Sequence, residues 1–221
     1  MDFFGSIFRF SLEELPFVII SVVIAFTVHE FAHAYTAWKF GDPTARNQGR
    51  LTLNPVKHID PIGMLLIVIA GVGWARPVPV NRYHFKNPRL AGVLVSIAGP
   101  VSNLLLAAIG AFLYFLLLSL GVLDGAGDIL MRLLNQFVYF NVLLFVFNLL
   151  PIPPLDGYRI IEDLVPVHTR AKMTQYEQYG TLIFLILVIT PLGQYTIYPL
   201  LNTFVPGIIS GLGQLFGPLF L

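Results

Sequence analysis

The chain contains no cysteine, and its 221 residues include few charged ones. Without cysteine there are no thiolate metal ligands, no cysteine nucleophile and no structural disulfides. Only 11% of the residues are charged, against about 25% in soluble domains. Thirteen basic residues against twelve acidic ones leave a net charge of +1, which argues against a nucleic-acid partner. This composition predicts a protein embedded in a lipid bilayer, with residues 1–221 forming a single domain.

Several apolar runs approach the roughly 20 residues that a helix needs to cross a bilayer. The four long ones are residues 15–40, 90–121, 130–150 and 180–201, the last of which is interrupted by Pro191. The first run lacks the basic residues that precede a cleaved signal, so we expect the protein to retain it. The apolar tail, 202–221, could span, re-enter or lie at the interface. The predicted fold class is an all-α polytopic membrane protein with about four to six transmembrane helices.

Two shorter pieces complete the predicted architecture. Residues 61–73 are apolar but too few to span, which favours a re-entrant piece. Within the polar stretch 44–60, residues 48–54 alternate loosely and predict a short extended or hairpin segment. The segments 178–221 then extend a core of about residues 15–165.

Basic residues cluster in two of the connecting segments. Eight lie in 39–89 and three in 151–179, whereas 124–128 has none and the N-terminal stub has one. The positive-inside rule therefore predicts that 39–89 and 151–179 are cytoplasmic, and that the N-terminus and 124–128 lie outside. This orientation places His29, Asn103 and Asp156 at a similar depth near the cytoplasmic side.

His29, Glu30 and His33 form an H-E-x-x-H motif within the first apolar run. Helix residues i and i+4 share a face, so both imidazoles can bind one metal ion, while Glu30 can reach a water beside it. Ionisable groups in a membrane segment are costly, so we expect them to be functional. Zinc hydrolases commonly use three protein ligands and leave a fourth position open. The motif therefore predicts a zinc hydrolase that works within the membrane.

The third ligand must come from elsewhere in the chain. The candidates are seven aspartates and the remaining histidines, His58, His84 and His168. Asp156 is favoured because its predicted depth matches and because it lies between prolines and Gly157. The alternative for Asp156 is that it caps the helix that follows. The three histidines lie in polar segments, and we expect them to be solvated.

Several motifs together resemble the site-2 protease family of intramembrane zinc metalloproteases. The stretch 74–81 also looks like members of this family, and the resemblance spans about residues 20–165 in the correct order. The compact members, which lack a PDZ insertion or an appended regulatory domain, are the most similar. The matching motifs are His29-Glu30-Phe31-Ala32-His33, Gly99-Pro100-Val101-Ser102-Asn103, and the N-x-x-P-x-P-x-x-D-G element from Asn148 to Gly157.

The resemblance implies one zinc ion per chain, bound by His29, His33 and Asp156. It implies that Glu30 is the catalytic base and that Asn103 positions the substrate backbone or the oxyanion beside the metal.

The same resemblance implies that Asn148 and Gly99 lie close to the centre and contribute to substrate binding. Residues 44–60 would be a membrane-associated β-segment that pairs with an unwound substrate. From the residues alone, both asparagines could instead form hydrogen bonds between helices, and Gly99 could serve close helix packing.

The function implied is an intramembrane endopeptidase that cuts peptide bonds in or near transmembrane segments, as in regulated intramembrane proteolysis. Its partner would be a membrane protein whose helix unwinds locally, because a helix hides its carbonyls in hydrogen bonds. The protein would be multi-pass, in the cell membrane if the source is prokaryotic. The alternatives are a membrane metal transporter, a non-proteolytic scaffold and a lipid hydrolase.

Overall fold

The computed structural model describes residues 10–71, 73–122 and 127–220. Over these ranges the chain is mainly α-helical, with short 3-10 helices at Pro55–Lys57, Arg82–His84 and Pro191–Tyr195. The α-helices, in chain order, are α1 Leu15–Lys39, α2 Thr44–Asn47, α3 Pro61–Ala70, α4 Pro88–Ser119, α5 Gly127–Asn148, α6 Asp156–Leu164, α7 Val167–Ile189 and α8 Ile197–Phe220.

Four helices in the described part of the chain are long and apolar enough to cross a membrane. They are Leu15–Lys39, Pro88–Ser119, Ile129–Asn148 and Ile197–Phe220. This confirms the prediction of an all-α, multi-pass membrane protein. The fourth span differs from the predicted run 180–201, which is divided between α7 and α8. The helix stops at Pro191 because proline lacks an N–H and drives the preceding Thr190 into an extended conformation (φ −99°, ψ 164°).

Helices α1, α4 and α5 form the antiparallel bundle that carries the site. Ala25 and His29 of α1 contact Asn103 of α4, whereas His33, further along α1, contacts the earlier residue Val95. The two helices are therefore antiparallel. Small residues permit close packing here. A Cβ at Gly110 of α4 would lie 2.9 Å from the Phe137 ring of α5.

Helix α8 packs against both α4 and α5. Its first residue, Ile197, is buried beside Leu150, just beyond the end of α5. Its far end stacks on α4, where the rings of Phe216 and Phe220 contact Phe112. Helix α8 therefore runs parallel to α4 and extends along most of its length. The apolar residues of the tail, up to Phe220, are the apolar residues of this helix.

The residues that flank helix α3 lie side by side. Asp60 caps it by accepting hydrogen bonds from the N–H groups of Ile62 and Gly63, both at 2.9 Å. Ile59, just before the helix, forms an antiparallel bridge with Ala75, just after it. Ten helical residues extend only about 15 Å.

The β-segment predicted within residues 44–60 does not form a strand in this structure, where all of these residues are described. Thr44–Asn47 is one helical turn, Gly49 adopts φ 67°, and Asn54 caps a 3-10 helix at Pro55–Lys57. Gly49, Asn54 and Pro55 favour turns, and their local preference prevails over the alternation of polar and apolar residues that favoured a strand. Residues 76–81, by contrast, form neither helix nor strand; Pro77 and Pro79 favour extended conformations at the residues before them, and Asn81 is extended (φ −109°, ψ 101°).

A group of buried charges anchors the far end of α6. Arg82 donates to Glu162 Oε2 at 3.0 Å and to Asp163 Oδ2 at 2.9 Å, and Arg170 lies 3.1 Å from Asp163 Oδ1. Burial alone would raise the pKa of Glu162, but bonds from Thr174 and Arg82 hold it below its usual value. Burial does raise the pKa of Asp163, against the opposing effect of its arginines.

Helix α6 lies directly on α4. A Cβ at Gly92 would come within 2.2 Å of Asp163 Oδ2, so glycine is needed for this contact. The helix that begins at Asp156 is therefore fixed at its far end by both ion pairs and packing.

Candidate metal centre

The two histidines of α1 are held in a defined orientation by bonds to their Nδ1 atoms. His29 Nδ1 lies 2.7 Å from Asn103 Oδ1, and His33 Nδ1 lies 2.7 Å from the Val95 carbonyl. Both partners are acceptors only, so each Nδ1 must carry the proton. Each neutral imidazole then presents a bare Nε2 lone pair, as a metal ligand requires.

Asp156 is brought to these nitrogen atoms by the start of α6. Its Oδ2 lies 3.1 Å from His29 Nε2 and 3.3 Å from His33 Nε2. The helix cap is Leu155, so the alternative role of Asp156 as a cap does not apply. A Cβ at Gly157 would meet the Leu149 carbonyl oxygen at 2.2 Å, so glycine lets the chain pass close to the end of α5.

The spacing of the three ligand atoms fits a tetrahedral metal ion. The two Nε2 atoms are 3.0 Å apart, which together with the distances to Asp156 gives a triangle of 3.0, 3.1 and 3.3 Å. Ligand atoms about 2.0–2.1 Å from a tetrahedral zinc ion lie about 3.3 Å from each other. Among the described residues no group donates a hydrogen bond to the buried Asp156 Oδ2. Three converging lone pairs repel one another unless a cation lies between them.

Gly99 of α4 faces the same point. A Cβ at this position would lie 2.3 Å from His33 Nε2 and 2.6 Å from His29 Nε2. The space in front of the ligand atoms therefore exists because residue 99 has no side chain.

Glu30 lies next to the ligand group but is held by a different part of the chain. Its Oε2 accepts a hydrogen bond from the Val78 N–H at 2.8 Å, and the side chain is buried. Arg50 positions that segment by donating to the carbonyls of Arg76 at 2.6 Å and Pro77 at 3.1 Å. The sequence analysis named the stretch 74–81 but gave no role to Val78 or Arg50, because each of these two contacts involves a backbone group, which the sequence pattern does not reveal.

The predicted asparagines have different surroundings. Asn103 is fully buried and bonds to His29, whereas Asn148 donates to the Leu144 carbonyl of its own helix at 3.0 Å. The structure adds Asn141, also fully buried, whose Oδ1 accepts from Asn103 Nδ2 at 3.0 Å. An amide two helical turns before Asn148, within an apolar run, was the signal that could have identified it.

The other histidines do not join the centre. The expectation that His58 is solvated is wrong: it is fully buried, and its Nε2 contacts the Thr52 carbonyl at 2.7 Å. Burial lowers its pKa. His84 is partly exposed and contacts Asp42 Oδ1 at 2.9 Å, and His168 is exposed.

Asp42 joins the end of α1 to the end of the segment 76–81. Its Oδ1 accepts from the Thr44 N–H at 2.9 Å, and its Oδ2 accepts from the Asn81 N–H at 2.7 Å. Burial would raise the pKa of this carboxyl, but bonds from Thr44, Asn81 and His84 hold it below its usual value.

Two imidazoles and a neighbouring glutamate on a membrane helix, with a carboxylate converging on the imidazoles, are typical of integral membrane metallohydrolases. Residues 123–191 match Peptidase family M50. A Bacillus subtilis protein, "Putative zinc metalloprotease YwhC", is 56% identical over 212 residues, which cover 95% of this chain and 97% of the relative. The chain belongs to Peptidase family M50, which confirms the resemblance to site-2 proteases.

More distant relatives carry similar names. "Putative zinc metalloprotease Rip2" of Mycolicibacterium smegmatis is 35% identical over 179 residues, covering 79% of this chain and 67% of the relative. "Putative zinc metalloprotease MJ0611" of Methanocaldococcus jannaschii is 28% identical over 155 residues, covering 70% of this chain and 73% of the relative. No solved structure gives a significant match.

Proposed function

We propose that this protein is a zinc-dependent intramembrane endopeptidase with His29, His33 and Asp156 as ligands and Glu30 as the catalytic base. The observation that carries the proposal is the triangle of ligand atoms, spaced as a tetrahedral ion requires, beside a buried glutamate. Family membership and the names of the relatives support the same reaction.

Each residue near the centre has a separate task in this mechanism. When bound, zinc supplies Lewis acidity that polarises the scissile carbonyl and lowers the pKa of a water. Glu30 takes the proton from that water and later gives it to the leaving amine. The Val78 N–H holds the Glu30 carboxylate in place. Asn103 orients His29 through its Oδ1 atom. Its Nδ2 donates to the Ala25 carbonyl, which holds the Asn103 amide against α1.

The substrate would be a membrane protein whose helix has unwound locally. The proline-containing segment 76–81 contacts Glu30 through the Val78 N–H and is a surface along which such a substrate segment could lie. Pro77 and Pro79 lack N–H groups, and the carbonyls of Arg76 and Pro77 already accept hydrogen bonds from Arg50. Pairing would therefore rely mainly on the later carbonyl groups and on side-chain contacts. Substrate helices weakened by Gly, Pro or Asn would be preferred.

A transport function has less support. In the part of the chain that the structure describes, His29, His33 and Asp156 are the one group of three or more His, Asp or Glu residues placed to share an ion. A transporter would need further sites along the membrane path.

The decisive test combines zinc content with cleavage. The detergent-purified protein is assayed for zinc and for cutting a fluorescent transmembrane peptide with a Gly-Pro break in its helix. We expect Asp156→Ala to weaken zinc binding by at least about 100-fold, since loss of a ligand should cost no less than loss of a group that supports one. Cleavage should be lost with the metal.

Asp60→Ala is the matched control, because it removes a carboxylate that caps α3 and lies outside the ligand group. It should keep its zinc. A native protein without zinc would contradict the proposed function, whereas native zinc affinity in Asp156→Ala would contradict only the third ligand.

We also propose the orientation given by the basic residues, with the N-terminus outside and the metal centre near the cytoplasmic side. In the same arrangement residues 61–73 enter the membrane and return. The bridge between Ile59 and Ala75 supports this re-entrant path because it holds both ends of the segment together. The acidic connector is described only at residues 127 and 128, so its position rests on charge alone.

Single cysteines can test this topology, because the native chain has none. Tyr83→Cys replaces a residue that is 98% exposed in the predicted cytoplasmic segment, and Val122→Cys lies beyond α4 on the predicted outer side. In intact cells a membrane-impermeant maleimide should label Val122→Cys alone, and it should label Tyr83→Cys only after permeabilisation. The reverse pattern would contradict the orientation.

A further inference from the structure

Asn141 is an amide buried completely within the apolar helix α5. Burying an amide is costly unless its polar atoms are bonded, and here both ends are. Its Nδ2 donates to the Phe137 carbonyl at 2.8 Å, and its Oδ1 accepts from Asn103 Nδ2 at 3.0 Å. The first bond fixes the amide so that its oxygen faces α4.

The orientation of Asn103 depends on this oxygen. Its Nδ2 donates to two acceptors, Asn141 Oδ1 and the Ala25 carbonyl at 3.2 Å. If the Asn103 amide rotated by half a turn, its oxygen would face both acceptors and its NH₂ would face His29. Asn141 is the side-chain acceptor that opposes this rotation.

The orientation of Asn103 in turn determines the tautomer of His29, that is, which ring nitrogen carries the proton. With Oδ1 at 2.7 Å, His29 must carry its proton on Nδ1 and leave Nε2 bare. A rotated amide would instead favour a bare Nδ1 and a protonated Nε2, which cannot bind a metal. In the resulting chain of hydrogen bonds, His29 donates to Asn103, Asn103 donates to Asn141, and Asn141 donates to the Phe137 carbonyl. The low dielectric of the helix interior strengthens these bonds.

We propose that Asn141 is a positioning residue for the metal centre, which keeps the Nε2 lone pair of His29 available by holding the Asn103 amide in place. This inference rests on the proposed function, since it concerns zinc binding by His29. It assigns a role to a residue that lies on a different helix from every ligand.

A purely structural role predicts a different outcome. In that case the amide pair between α4 and α5 would contribute only to helix association. Its loss would then lower thermal stability without a specific effect on zinc. Val142→Ala provides this comparison, because Val142 is the next residue, is fully buried in the same helix interface and has no polar group.

The test measures the zinc dissociation constant by competition with a chromogenic chelator, together with the thermal midpoint, for purified full-length variants. Asn141→Leu should weaken zinc binding by about 10- to 100-fold, as loss of an outer-shell partner does. Cleavage of the transmembrane peptide should recover at high zinc. Val142→Ala should lower the thermal midpoint and keep native zinc affinity.

Asn141→Asp provides the rescue. A carboxyl buried in an apolar site stays protonated, so it can donate to the Phe137 carbonyl and accept from Asn103 as the amide does. Its zinc affinity should remain close to native. If Asn141→Leu cannot be recovered folded, Asn141→Ala is judged by the same criteria.

Two results would overturn the proposal: native zinc affinity in Asn141→Leu, or equal weakening in Val142→Ala. Either leaves the proposed function intact as long as the native protein binds zinc. Absence of zinc from the native protein would instead contradict the proposed function itself.

Discussion

Replacement of Glu30 by glutamine is expected to reduce peptide cleavage by about 10²- to 10⁴-fold, the usual contribution of a general base. Zinc content should not change, because Glu30 is bonded to the Val78 N–H and not to the ligand group. Glutamine has nearly the same shape, and its carbonyl oxygen can accept the same bond. The change therefore removes the proton acceptor and little else. Zinc analysis and the cleavage rate of the transmembrane peptide measure the two effects separately.

Glu13→Gln is the control for the same chemical change. Glu13 is largely exposed and pairs with Arg132 at 3.4 Å, so its replacement should leave cleavage and zinc at native levels. Full cleavage by Glu30→Gln would refute the assignment of the base. Loss of zinc in that variant would mean that Glu30 also contributes to metal binding.

Gly99→Ala is expected to remove both zinc and activity. The added methyl carbon would lie 2.3 Å from His33 Nε2 and 2.6 Å from His29 Nε2, well inside van der Waals contact. It would occupy the space in front of both lone pairs. Neither imidazole can turn away without breaking its Nδ1 bond, to Asn103 for His29 and to the Val95 carbonyl for His33. We expect the zinc dissociation constant to rise by at least about 100-fold, above the range for outer-shell changes.

Gly207→Ala is the matched control, since it makes the same substitution within a membrane helix. A Cβ at Gly207 of α8 meets no atom within 4 Å, so stability, zinc content and cleavage should all remain native. If Gly99→Ala retained zinc and cleavage, the space at this position would have no role in the centre. If it retained zinc but lost cleavage, Gly99 would act on the substrate alone.

Much of the site follows from local sequence. The i, i+4 spacing of His29 and His33 places two imidazoles on one face of any helix, whatever surrounds it. The length of the apolar runs determines that α1, α4 and α5 can cross a bilayer. Asp156 was favoured among several candidates by its depth and its neighbouring prolines, and the structure places its carboxylate 3.1 and 3.3 Å from the two histidines.

Local pattern was a poor guide where short-range and long-range preferences compete. The alternation in 48–54 predicted a short extended or hairpin segment, but Gly49 adopts a turn conformation and Pro55 begins a 3-10 helix. His58 stands among polar residues in the chain, yet it is fully buried, and its carbonyl accepts a hydrogen bond from the sequence-distant Arg76 N–H at 2.7 Å. The run 180–201 contains enough apolar residues for a helix, but Pro191 breaks it.

The sequence by itself determined the first three membrane helices and the chemistry of the H-E-x-x-H motif, because helix geometry and hydrophobic length are local properties. Only the tertiary structure decided what surrounds that motif. The orientation of His29 depends on a hydrogen-bonded chain through Asn103 and Asn141, and Glu30 is held by a backbone N–H of Val78. The packing of three helices and a loop determines which of these groups meet. A backbone N–H is present at every residue except proline, so its presence alone does not distinguish Val78. No spacing rule could therefore have identified which one meets the glutamate.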